Sequence, residues 1–118
     1  MELNVLSDDG PILHVGVQGA VSMAALAEQS ELLAELLKDR GYKTAVLLNL
    51  ANAEQIDSAG MSWLVVQHKR FCDAGGQFVI HSVPYTVMET FKVMRLDRVL
   101  NLADNQAEAM KLVPGAAG

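Results

Sequence analysis

The sequence predicts an α/β fold in which a small, mostly parallel mixed sheet packs against helices. Two short alternating segments near the N-terminus are joined by turn-forming residues, and apolar strand-like segments then alternate with helical ones. Hydrophobic residues make up 51% of the chain and aromatic residues 5%, which suits an aliphatic core. Strands joined by a tight turn pair antiparallel, whereas strands separated by helices pair in parallel. The expected sheet is therefore mixed, with an antiparallel hairpin at its start.

The first two strands are predicted at residues 3–7 and 12–18. In the second, Leu13, Val15 and Val17 alternate with smaller or more polar neighbours, which is the pattern of a strand with one covered face. The segment between the strands consists of Ser, Asp, Gly and Pro, which are frequent turn formers. The two strands are therefore expected to form the antiparallel hairpin.

A long helix is predicted next, over residues 23–40. Ser22 supplies an N-cap, and one face of the helix carries an apolar stripe formed by Leu26, Leu33, Leu36 and Leu37. Gly41 is expected to end this helix. The following segment, residues 44–50, is almost continuously apolar, which indicates a central strand buried on both faces.

The second half of the chain repeats the alternation of helix and strand. A helix is predicted from Ser58 to Ala74, where two glycines stop it. The later elements are a strand at 77–82, a helix after Pro84 with an apolar stripe of Val87, Phe91 and Met94, an edge strand at 99–102, and a helix ending near 112. Residues 1–113 are expected to form one domain, with its helices mainly against one face of the sheet, and residues 114–118 a flexible tail.

The charge balance excludes several classes of partner. Nine Lys and Arg residues stand against fourteen Asp and Glu residues, which gives a net charge of −5. An acidic chain repels nucleic acid and anionic lipid, so neither nucleic-acid binding nor membrane insertion is expected.

A single cysteine, Cys72, cannot form an internal disulfide and is interpreted as a small buried hydrophobe. No apolar run is long enough to span a bilayer and the N-terminus lacks a basic start, so a cytoplasmic protein is expected.

The longest junction between a strand end and a helix start, residues 49–61, is the candidate site. Asp57 or Ser58 can cap the helix, and Gly60 permits a close backbone approach. The free N–H groups of a helix start favour an anion, so the helix could stabilise a phosphate on Ser58 even though Asp57 and Glu54 repel it. The simpler interpretation, which the local sequence alone favours, is that Ser58 only caps the helix.

The two faces of this helix predict what surrounds Ser58. At about 100° per residue, one side collects an expected core stripe of Met61, Leu64, Val65, His68, Phe71 and Cys72. Ala59, Trp63 and Val66 project the opposite way, which predicts an exposed apolar patch beside the serine, of the kind found at interfaces. The alternative is that another segment of the same chain covers Trp63.

An enzymatic interpretation has little support. No G-x-S-x-G motif surrounds Ser58, and His14, His68 and His81 have no spacing typical of metal ligands. His68 falls on the inward stripe, where a core histidine is the commoner explanation. No catalytic set, metal site or cofactor is therefore predicted.

Three segments together resemble the STAS family, named for sulfate transporters and anti-sigma-factor antagonists. The first is the strand, loop and helix of residues 46–64, which contain Ile56-Asp57-Ser58-Ala59-Gly60. The others are the turn and strand of residues 75–80, and the helix followed by a leucine-aspartate step of residues 91–99. The resemblance covers essentially the whole chain, although the first 45 residues match only in pattern.

For a stand-alone domain, the resemblance implies a bacterial anti-sigma-factor antagonist that regulates transcription by partner switching. Such a protein binds an anti-sigma serine kinase and frees a sigma factor. The kinase then phosphorylates the serine that Ser58 matches, the complex dissociates, and a phosphatase resets it. The implied partner-binding residues, besides Ser58, are Asp57, Ala59, Gly60, Ser62, Trp63 and Val66.

Two positions depart from the family pattern. An acidic residue often follows the second strand, where this chain has Gly19-Ala20-Val21-Ser22, and an aspartate is usual in the third strand, where it has Asn49. Both positions are expected to lie near Ser58. Two other functions remain open: a constitutive STAS subunit of a transporter or stress-signalling complex, and a nucleotide-binding sensor. The oligomeric state is left open as well.

Overall fold

The computed structural model describes residues 1–8, 10–29 and 31–113. Its strands are β1 (Glu2–Asp8), β2 (Ile12–Val21), β3 (Ala45–Ile56), β4 (Gln77–His81) and β5 (Asn101–Ala103). Its helices are α1 (Met23–Gln29), α2 (Leu32–Leu37), α3 (Ser58–Ala74), α4 (Tyr85–Val93) and α5 (Gln106–Lys111). Short 3-10 segments occupy Lys38–Lys43 and Leu96–Arg98.

The five strands form one sheet in the order β1-β2-β3-β4-β5. The pair β1 and β2 is antiparallel, and the other neighbours are parallel. This confirms the predicted mixed sheet with an N-terminal hairpin. The predicted hairpin turn includes Asp9 and the predicted tail is residues 114–118, and these residues lie outside the described part of the chain.

Each face of the sheet has its own core, because the alternating side chains of β2, β3 and β4 point to opposite sides. The larger core packs one face against α2, α3 and α4, with Leu26 of α1 at its margin. The smaller core lies on the other face, where Ala109 and Val113 pack onto Ile12, Ala45, Leu47 and Val79. The helices thus lie mainly on one face, as expected, while α5 covers part of the other.

Tyr42 packs into the larger core, and the long first helix is broken ahead of it. The helix predicted over residues 23–40 is divided into α1 and α2, and α2 ends at Leu37, where Lys38 follows with a positive φ of 52°. Gly41 therefore does not end the helix as predicted but lies inside the following 3-10 segment. The turn brings the Tyr42 ring edge-on to Phe71 at 4.9 Å, and its hydroxyl donates to Gln67 Oε1 at 2.9 Å. These tertiary contacts outweigh the local preference for helix.

The central strand β3 continues to Ile56, beyond the predicted end at residue 50. Its second half pairs with an equally extended β2, in which Gln18 lies beside Asn52 and Val21 lies beside Ile56. Several side chains there are exposed, so the apolar pattern that marks a buried strand stops early. Backbone pairing with β2 continues the strand, and Ala53 and Ile56 still pack against the larger core.

The glycine pair after α3 ends the helix as predicted. Gly75 has a φ of 82°, the left-handed conformation common at helix C-termini. A Cβ on Gly76 would lie 2.1 Å from the carbonyl oxygen of Tyr42 and 2.5 Å from that of Thr44. Gly76 is therefore required by a close approach of two backbone segments.

We expect Gly76→Ala to destabilise the fold by about 3 kcal/mol, because both obstructing atoms are backbone carbonyl oxygens rather than the ends of flexible side chains. Gly75→Ala is the control, since its Cβ would meet nothing within 4 Å. It should cost only the left-handed penalty, about 1 kcal/mol. Urea unfolding of both variants measures the difference, and a larger loss for Gly75→Ala would contradict the packing described here.

Candidate functional site

The candidate site is the corner where β3 passes into α3. Asp57 has extended backbone angles between the end of β3 and the first residue of α3, Ser58. Its N–H donates to the carbonyl oxygen of Val21 at 3.3 Å. The corner is therefore fixed to the end of β2 as well as to its own strand.

The carboxylate of Asp57 binds the N-termini of two helices. One oxygen, Oδ1, accepts a hydrogen bond from Gly60 N at 2.9 Å and so caps α3. The other, Oδ2, accepts from Met23 N, the first residue of α1, also at 2.9 Å. The bond from Met23 and then the bond from Gly60 lower the pKa of Asp57, because both favour its charged form. One side chain thus joins α1 to α3.

Gly60 allows this corner to close. It is buried, and a Cβ there would lie 2.2 Å from the carbonyl oxygen of Val21 and 2.8 Å from Cγ2 of Ile56. The first turn of α3 therefore rests directly on the backbone that ends β2. This explains the close approach expected from the sequence at Gly60.

Ser58 is exposed at the first position of α3. Asp57 provides the cap, so the interpretation that Ser58 caps the helix is wrong. Among the residues that the structure describes, no side-chain hydrogen bond engages the Ser58 hydroxyl. The hydroxyl is thus accessible, and the helix does not depend on it.

The buried face of α3 differs from the predicted one. Its buried residues are Gly60, Met61, Trp63, Leu64, Gln67 and Phe71. Trp63 is only 6% exposed, so the expected exposed tryptophan is wrong and the alternative, in which the chain covers it, is right. Cys72 is exposed rather than buried, and its Sγ lies 3.6 Å from His68 Nε2.

The prediction is wrong because the buried face of α3 is displaced by about one residue along the helix from the predicted face. The prediction centred the stripe on apolar side chains, whereas the sheet is faced by Gly60, which has no side chain, and by Gln67. Gln67 is accepted in the core because its Oε1 receives the hydrogen bond from Tyr42. Ala59 is partly buried by the same displacement, while Val66 remains 45% exposed.

A shallow groove of about 320 Å³ begins at Ser58 and runs beside α3. We call it the switch groove; it is lined by Ser58, Met61, Ser62, Val65, Val66, Met94 and Leu96. The sequence prediction missed the contribution of Met94, which it placed on the inward stripe of α4. Because α4 ends at Val93, Met94 leaves that stripe and is 51% exposed. The apolar groove therefore has one wall from α3 and one from the segment after α4.

The two departures from the family pattern lie in different places. Ser22 precedes Met23, whose N–H binds Asp57, so the segment after β2 does lie beside the site. Asn49 lies in the first half of β3, paired with Gly16 and His81, and its Oδ1 accepts from Ala51 N at 2.8 Å. The expectation that Asn49 lies near Ser58 is wrong, because β3 is longer than predicted.

None of the three histidines lines the switch groove. His14 and His81 are both buried in the sheet. Burial, together with the nearby His14, lowers the pKa of His81, whose Nδ1 lies 2.9 Å from Ser82 Oγ. Within the described ranges, no cluster of three or more His, Cys, Asp or Glu side chains could hold a metal ion. No helix in those ranges is long and apolar enough to cross a membrane.

Comparison with known proteins identifies the family. The STAS domain profile matches residues 5–109, and the chain belongs to the STAS domain family. An anti-sigma factor antagonist from Mycobacterium paratuberculosis is similar in structure, with a TM-score of 0.78, 18% identity, and coverage of 95% of this chain and 92% of that one.

Two further structures share the fold. SpoIIAA, an anti-sigma factor antagonist in its unphosphorylated form, has a TM-score of 0.68 and 15% identity, with 94% of this chain and 93% of that chain covered. The murine anion transporter Slc26a9 has a TM-score of 0.69 and 12% identity, with 90% of this chain but only 18% of that chain covered. At these identities the likeness establishes the fold alone.

We expect Asp57→Ala to lower the thermal unfolding midpoint by several degrees, because Met23 N in α1 and Gly60 N in α3 both lose their acceptor. Asn105→Ala is the matched control, since Asn105 caps only α5, by accepting from Glu108 N at 2.9 Å. The loss should be larger for Asp57→Ala. Equal losses would indicate that the bond to Met23 contributes nothing to stability.

The same carboxylate predicts a pH dependence. Because the pKa of Asp57 is lower in the folded protein than in the unfolded chain, its contribution is complete above the unfolded value, about 4, and is lost as the pH falls through the folded value. The difference in unfolding midpoint between the wild type and Asp57→Ala should stay constant from about pH 5 to 7 and narrow below about pH 4. A difference that grows on acidification would contradict the assignment.

Proposed function

We propose that this chain is an anti-sigma-factor antagonist that binds an anti-sigma serine kinase through the switch groove and is released when Ser58 is phosphorylated. The observation that carries the proposal is the position of Ser58. It is exposed, does not cap α3, and lies where an apolar groove begins. Because no hydrogen bond among the described residues engages this hydroxyl, a phosphate can be added to it without breaking a contact that holds the fold.

The groove and its neighbouring charges explain why the phosphate acts as a switch. A phosphate adds about −1.5 to −2 charges directly beside the Asp57 carboxylate. A partner that covers Val66 and Met94 would have to remove this phosphate from water, which is costly unless cations compensate it. The unmodified hydroxyl carries no such cost. The groove therefore favours a partner in one state and opposes it in the other.

The proposed contact surface comprises the switch groove with Asp57 and Ala59 at its start. Val66 and Met94 offer exposed apolar area, and Ser62 lies between Ser58 and Val66 along α3. Gly60 and Trp63 are buried, so their role is to support the surface from below rather than to contact a partner.

Support also comes from the family. Two structures with this fold are anti-sigma factor antagonists, and one of them is described in an unphosphorylated form. In this scheme the chain is a regulator without cofactor or catalytic group. The kinase consumes ATP, a phosphatase removes the phosphate, and the sigma factor is freed while the kinase is occupied.

A constitutive subunit of a transporter assembly is the second candidate function. It is favoured by the same fold within an anion transporter. In that role the groove would hold its partner permanently, and Ser58 would carry no phosphate.

The test is capture of partners from the native cell extract with and without ATP, followed by intact-mass measurement of the chain. We expect one added phosphate, present in wild type and Ser62→Ala but absent in Ser58→Ala. Ser58→Ala should keep an anti-sigma kinase bound in ATP, whereas Ser58→Glu should bind it at least tenfold more weakly. Ser62 lines the same groove, so it controls for loss of a hydroxyl there.

Three results would contradict the proposal: no phosphate on Ser58, kinase binding that is equal for Ser58→Ala and Ser58→Glu, or no anti-sigma kinase among the partners. Recovery of a transporter with unphosphorylated chain would favour the constitutive subunit instead.

A further inference from the structure

Arg95 is an exposed cation next to the switch groove. It lies in sequence between Met94 and Leu96, which both line that groove together with Ser58. Within the part of the chain that the structure describes, Arg95 forms no ion pair, whereas Arg40 is paired with Asp8 and Arg70 with Glu31. This acidic protein therefore has an exposed cation without an ion pair, among its described residues, between two residues that line the groove.

The backbone conformation of Arg95 is one that glycine usually adopts. Arg95 has φ 59° and ψ 25°, a left-handed conformation, directly after α4 ends. Its N–H donates to Lys92 O at 3.1 Å, in the geometry with which helices terminate. Glycine is the usual residue at such a position because it adopts left-handed angles without steric cost. Arginine at this position therefore carries a steric cost that glycine would not.

We propose that Arg95 binds the phosphate of phosphorylated Ser58 in an intramolecular ion pair across the switch groove. The proposal rests on the proposed function, because it assumes that Ser58 is the phosphoacceptor. The phosphate would lie beside the Asp57 carboxylate and needs a compensating cation. A guanidinium suits this role, since its planar donors bind two phosphate oxygens at once.

This ion pair would change how the switch works. Val66 and Met94 line the groove that the ion pair would span, so the two side chains would cover part of the apolar area offered to a partner. Phosphorylation then adds charge and also covers the docking surface. Release of the partner no longer depends on repulsion alone.

Neighbouring cations provide matched controls. Arg98 is exposed on the same turn and forms no ion pair among the described residues, but neither of its sequence neighbours lines the groove. Lys92 lies 3.9 Å from Glu89 and is already paired. Arg98→Gln therefore removes the same charge from the same region without removing the proposed contact.

The test is a phosphorus NMR titration of the full chain with phosphoserine installed at position 58 during translation. An ion pair favours the dianion, so Arg95→Gln should raise the second pKa of the phosphate, normally about 6, by about half a unit or more. Arg98→Gln should leave it almost unchanged. Equal shifts in both variants, or no shift in Arg95→Gln, would overturn the proposal. Because no kinase is used, this outcome is independent of whether a kinase acts on Ser58.

A second measurement separates the functional role from a structural one. In the unphosphorylated chain, Arg95→Gly should raise the thermal unfolding midpoint, because glycine relieves the left-handed strain. Lys38→Gly is the control, since Lys38 has a φ of 52° at the end of α2. Both variants should be stabilised, but only Arg95→Gly should shift the phosphate pKa. A fall in midpoint for Arg95→Gly would assign Arg95 to the stability of the turn and contradict the proposal.

Discussion

The carboxylate of Asp57 joins two helix N-termini, and the geometry around Ser58 depends on this interaction. Its two oxygens accept one N–H from α3 and one from α1, while its own N–H is held by the end of β2. Gly60 permits this arrangement, because any larger residue would strike the Val21 carbonyl. Because Asp57 caps α3, the neighbouring Ser58 is not needed for capping. The division of roles between two adjacent residues allows a serine at a helix start to be modified without unfolding the helix.

The sheet supplies the rigid base for this corner. The cores on its two faces hold β2 and β3 in place, and both strands extend beyond the predicted ends to meet at Val21 and Ile56. Trp63 and Gln67 anchor α3 to the same base, so the groove beside the helix has a fixed wall. The other wall comes from the turn after α4, where Met94 and Leu96 are followed along the chain by the last strand. A partner would therefore meet a largely preformed surface rather than a mobile loop.

Most of the fold could be predicted from sequence, because alternation, glycine stops and capping residues are local signals. The order of elements along the chain, the antiparallel hairpin and the limits of α3 follow from such signals, as does the glycine approach at residue 60. The side of α3 that faces the sheet could not be predicted, since it depends on the hydrogen bond from Tyr42 to Gln67, which joins segments that are distant in sequence. The same holds for Met94, whose exposure depends on where α4 ends. The place of Asn49 within β3 could not be predicted, because the second half of the strand is mostly exposed and lacks the continuous apolar pattern of a buried strand.

The measurement that tests the central claim most directly is calorimetric titration of the purified anti-sigma kinase partner with this chain, once unmodified and once fully phosphorylated on Ser58. The account predicts binding of the unmodified chain and at least a hundredfold weaker binding of the phosphorylated chain, which corresponds to about 2.7 kcal/mol. Equal affinities for the two forms would contradict it, because the groove would then not distinguish a hydroxyl from a phosphate at its entrance.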